Sequence, residues 1–68
     1  MTNLTKVIIQ SLQVQLAYTD TARARHLAWA AKTHNTEDIA MHLEIAESFL
    51  QTHIQLSRLL NKYSQPAV

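Results

Sequence analysis

Four histidines in 68 residues, His26, His34, His42 and His53, are the side chains of this chain best equipped for chemistry. Imidazole binds metals through either ring nitrogen and exchanges a proton near neutral pH. His42 and His53 stand about three helical turns apart, and Asp38 lies one turn before His42. If the fold brings His26 beside His42, then His26, His42 and Asp38 form a candidate ligand set for zinc or iron. The spacing itself is not diagnostic. There is no His-Glu-x-x-His, and the Glu-x-x-His of di-iron bundles is missing, since Glu47 follows Glu44 and Leu50 follows Glu47 at that offset. Histidines held in an interface by hydrogen bonds, including pH-sensitive ones, are the competing use, so the sequence implies no cofactor.

Other chemistries are thinly represented. No nucleophile is paired with a base, and a chain with no glycine has neither a phosphate-binding loop nor a dinucleotide fingerprint. No catalytic residues are assigned and the chain reads as a non-enzyme. Trp29 and Phe49 read as anchors of a core or interface. Cysteine is absent, which removes disulfides and the commonest structural zinc sites.

The element that must position these side chains is residues 36–63, an uninterrupted helical pattern free of glycine and proline. Ile39, Leu43, Ala46, Leu50 and Ile54 recur at helical spacing, flanked by Ile45, Phe49, Leu56 and Leu59. That stripe is too wide for one neighbouring helix to cover. A first helix over residues 4–33 is expected, with Thr2 or Asn3 as N-cap. Leu4, Ile8, Ser11, Gln15, Tyr18, Ala22, His26 and Trp29 form one row along it. The alternation of residues 12–18 also suits a strand, but no second strand pattern exists to pair with it. The cap-like run Tyr18-Thr19-Asp20-Thr21 is the one place where this helix invites a break. Lys32-Thr33-His34-Asn35 is the clearest punctuation: Asn35 suits either a left-handed turn or an N-cap, and Thr36 is the other cap candidate. Residues 64–68 form a frayed tail in which Pro66 stops the helix.

Average glycine usage of about 7% would supply roughly five residues here, so its absence favours few turns and long helices. Two long helices joined at residues 34–35 make an antiparallel hairpin, an all-α fold within a single domain. Residues whose numbers sum to about 69 then share a height. This sets His26 beside His42, Arg25 level with Glu44, and Arg23 near Glu47. The far end carries only Lys6, Arg58 and Lys62 and is otherwise apolar or uncharged, which marks an association surface. Ile8, Leu12, Tyr18, Phe49, Leu50, Leu56 and Leu59 are its candidate residues. A domain this small buries only about 60% of its unfolded surface. Without disulfides it is expected to oligomerise, as a homodimeric four-helix bundle.

The formal charge of +1 gives no strong pull toward nucleic acid or anionic membrane. No signal or membrane-spanning pattern opens the chain, so a soluble, cytoplasmic protein is expected. One local run reads otherwise. In residues 38–54, Ile39-Ala40, Leu43, Ile45-Ala46-Glu47 and Thr52-His53-Ile54 fall at offsets resembling the helix-turn-helix of the LuxR family of transcriptional regulators. That resemblance covers about a quarter of the chain and implies a DNA recognition helix beginning at Glu47 to His53. Ala46 replaces the family's turn serine, Gln51 replaces a usual basic residue, and no Lys or Arg lies between Asp38 and Gln51 to meet phosphate. In architecture alone the expected hairpin is similar to Rop-type RNA modulators, which dimerise into four-helix bundles. The reading that results is a small interaction module, a regulator, adaptor or inhibitor, working as a homodimer on a protein partner. Nucleic-acid binding and metal binding are the alternatives.

Overall fold

The computed structural model describes residues 3–65, which form two α-helices, α1 (Asn3–Lys32) and α2 (Thr36–Ser64), packed against each other. Helix α1 runs unbroken for 30 residues, straight through Tyr18 to Thr21. The Thr19 hydroxyl bonds back to the Leu16 carbonyl at 2.9 Å, so it finds its acceptor without leaving the helix. Thr2 as a cap and Pro66 as a stop lie outside the described residues, as does the tail over 66–68.

The turn is three residues long and contains no positive-φ residue. Asn35 therefore does not use the left-handed conformation open to it; it is the N-cap of α2, at φ −84° and ψ 119°. Its Oδ1 accepts from the backbone N–H of Glu37 at 2.9 Å and of Asp38 at 3.2 Å. Its own N–H donates to Thr33 Oγ1 at 3.2 Å. Glu37 and Asp38 place negative charge at the positive end of the α2 dipole, and Lys32 places positive charge at the negative end of α1.

The line along which the helices meet is narrow and mixes small, polar and apolar residues. Leu12, Thr19 and Ala30 of α1 and Ala46 of α2 are the buried residues, and no large side chain is completely enclosed among those described. Around them Leu16, Arg23 and His26 on α1 and Thr33 in the turn are half-buried, as are Ile39, His42, Phe49, His53, Leu56 and Leu60 on α2. Steps of three and four residues connect these positions on each helix, the spacing of a coiled-coil seam. Ala46, at 2% exposure, lets the backbones approach closely, and bulkier neighbours are displaced to the flanks.

Of the row Leu4 to Trp29 on α1, expected to face inward, His26 lies at the seam and Ile8 and Ala22 are half-buried, while other members turn away from it. Leu4, Tyr18 and Trp29 are exposed, whereas Leu12, Thr19 and Ala30 point in. The outcome is a rod with Cα extents of 52 × 16 × 12 Å. Its radius of gyration, 15.7 Å, is well above the roughly 11 Å of a compact domain of this length.

Candidate functional site

Histidine makes interhelical polar contacts at two places along the seam. His26 Nδ1 lies 2.9 Å from His42 Nδ1, so the expected convergence of these two rings is present. About two turns further from the loop on α1 and three on α2, Thr19 Oγ1 lies 3.2 Å from His53 Nδ1. Thr19 is only 4% exposed, and its one hydroxyl proton is committed to the Leu16 carbonyl. Toward His53 it can only accept, so His53 carries its proton on Nδ1 and donates. Among the described residues no buried side-chain nitrogen or oxygen is left without a partner.

The Thr19–His53 contact was hidden in the sequence. Thr19 sits in a cluster that reads as a local cap, and its inward role appears only along the series Leu12, Leu16, Thr19, Arg23, His26, Ala30. His34 stands exposed in the turn, apart from the other three histidines.

Around the His26–His42 pair the aromatic rings form one continuous cluster. The Trp29 ring meets His26 edge-on at 5.0 Å between centroids and His42 at 5.4 Å. Phe49 stacks on His26 at 5.9 Å, and Tyr18 meets Phe49 edge-on at 6.1 Å. Such ring pairs contribute about 0.5–1.5 kcal/mol beyond their area when well packed. Two hollows flank the cluster. One, of about 170 Å³, has Arg25 on its wall beside His26, Trp29 and Phe49. The other, of about 380 Å³, has Lys32 beside Trp29 and His42. No carboxylate is among the described residues lining either hollow.

Asp38 does not complete a metal site. Among the described residues no three His, Cys, Asp or Glu side chains converge as ligands. Tetrahedral zinc with bonds of about 2.0–2.1 Å also holds its ring nitrogens roughly 3.3 Å apart, wider than the 2.9 Å between His26 and His42. The distance is that of a shared hydrogen.

The candidate association residues fall into three places. Leu12 is covered by the hairpin itself. Leu50 is half-buried on one flank, in helical line with Leu43 and Ile54. Tyr18, Phe49, Leu56 and Leu59 share the opposite flank, joined there by the ring contact of Tyr18 with Phe49, and half-buried Ile8 borders it from α1. The same flank carries exposed Leu4, Val7, Val14 and Trp29 from α1 and exposed Met41 and Tyr63 from α2. These recur at three- and four-residue steps, so each helix bears a second stripe besides its seam.

Helix α2 is continuous through 38–54, so the turn required by a helix-turn-helix does not occur there. Glu47, where a recognition helix would begin, accepts from Gln51 Nε2 at 3.0 Å within α2. Among the described residues no helix is long and apolar enough to cross a membrane. No protein-family model, curated protein or solved structure matches this chain.

Proposed function

We propose that this chain is a small, non-enzymatic interaction module that is completed as a homodimeric four-helix bundle and acts on a protein partner as a regulator, adaptor or inhibitor. The observation that carries this reading is the pairing of a nearly coreless seam with a long apolar flank. Among the described residues no large side chain is completely enclosed, while Val14 and Tyr18 stand 70% and 66% exposed.

Surface area supports the second copy as occupant of that flank. A compact chain of this mass exposes roughly 4,300 Å², and this hairpin exposes 5354 Å². Two such rods merging into a body of ordinary compactness cover roughly 3,500 Å² between them. That falls within the span of about 2,000–5,000 Å² typical of obligate homodimers. The ends of the bundle and the histidine-bearing loop region then remain for the partner. A cytoplasmic setting accords with the cysteine-free sequence.

Light scattering at micromolar concentration tests the assembly: the expected mass is twice 7.7 kDa. A stably folded monomer under those conditions ends the proposal. Tyr18→Glu and Leu59→Glu should each weaken association at least about a hundredfold, since burying an unpaired carboxylate costs several kcal/mol. Leu43→Glu, on the opposite flank, should leave the dimer intact. Salt-dependent capture of DNA or RNA by the wild-type dimer would reassign the partner to nucleic acid.

A further inference from the structure

The two histidine contacts of the seam respond to protons in opposite ways. His53 donates to Thr19, whose hydroxyl proton is already given to Leu16. A second proton on the His53 ring goes to Nε2 and leaves that donated bond in place. The His26–His42 contact joins two Nδ1 atoms at 2.9 Å, so one nitrogen must carry the hydrogen and the other must present a lone pair. With both rings neutral, one is the Nδ1–H tautomer and the other carries its proton on Nε2. One additional proton makes the donor an imidazolium and the bond charge-assisted, hence stronger. A second additional proton occupies the acceptor nitrogen. Two N–H groups then face each other, on two cations whose ring centroids are 5.1 Å apart.

We infer that His26 and His42 form a one-proton latch between α1 and α2: it holds with no or one added proton and opens with two. The charged surroundings favour that outcome. Arg25 and Lys32 of α1 line the hollows on either side of the pair, and Arg23 lies half-buried one turn before His26. On α2 the acidic groups near the pair are Asp38, one turn before His42, and Glu44, two residues after it; both are exposed to solvent. The backbone N–H of Asp38 is bonded to the Asn35 cap.

Proton counting gives the sign. The closed latch takes up one proton beyond neutrality, and the unfolded chain takes up two at these residues. Below the imidazole range the folded state therefore binds fewer protons, and stability falls as pH falls. The first proton acts in the other sense, because the closed pair accepts it with a strengthened bond. The loop end thus stays closed through the first proton and opens at the second. This property belongs to the single hairpin and holds with or without dimerisation.

The test is a pH titration of the full chain, labelled with ¹⁵N-histidine and freed of metal, followed by NMR together with emission from Trp29, the single tryptophan. Across the imidazole range of about pH 8 to 5, His26 and His42 should charge in two separated steps. The second should coincide with a change in Trp29 emission, and His53 should charge in one step without it. His42→Gln, which cannot titrate, should remove the emission change, whereas His53→Gln should keep it. If either variant is unfolded at neutral pH, the wild-type titration decides alone. Independent single-step charging of both rings with unchanged Trp29 emission overturns the latch. Nδ1 resonances that move to a metal-bound position with one equivalent of zinc, in place of a two-step proton uptake, overturn it too.

Discussion

Thr19 shows how much depends on one hydroxyl. It gives its hydrogen to Leu16 and lends its lone pair to His53, so a single atom satisfies its own helix and links it to the other. Thr19→Val keeps the shape and removes both functions. The half-buried His53 Nδ1–H then loses its acceptor, and the expected cost is about 1–2 kcal/mol, read from the midpoint of chemical denaturation. Thr19→Ser should recover most of it. Replacing Thr19 and His53 together by Val and Leu should be milder than Thr19→Val alone, because no polar group is then left unpaired. The same asymmetry separates the two histidine contacts: a donor facing a fixed acceptor tolerates charging of its ring, whereas two like nitrogens tolerate one added proton and not a second.

At the scale of the helices, closeness depends on alanine. Among the described residues Ala46 is the most enclosed, and Ala30 is the other buried alanine. Ala46→Leu should force the helices apart and destabilise the hairpin by about 1–3 kcal/mol, measured by thermal or urea unfolding. The helices and their turn were legible in the sequence, since Lys32-Thr33-His34-Asn35 interrupts two long periodic runs and no glycine offers another break. The meeting of His26 with His42 was legible too, because a short turn fixes height. The rotation of each helix was not. Leu12-Leu16-Thr19-Arg23-His26-Ala30 and Leu4-Val7-Ser11-Val14-Tyr18 repeat with the same three-and-four spacing, and hydrophobicity favours the second series. Steric fit decides for the first: alanine and threonine admit a neighbouring backbone where tyrosine and tryptophan cannot. Periodicity can thus find both stripes without ranking them.

For the whole molecule, a rod whose larger apolar groups lie on its flank has a stability tied to its concentration. In the proposed dimer, diluting the protein tenfold should lower the thermal midpoint, and Leu59→Glu should remove that dependence along with part of the stability. A midpoint independent of concentration over a hundredfold range would assign the hairpin's stability to the seam alone. The antiparallel course also brings Asn3 and Ser64, the outer ends of the two helices, to the same pole of a body 52 Å long. Tension applied between those ends loads the seam as a zipper and not in shear. The contacts part in order from the open pole, Thr19–His53 before His26–His42, so a pulling trace would read the two histidine bonds as successive events.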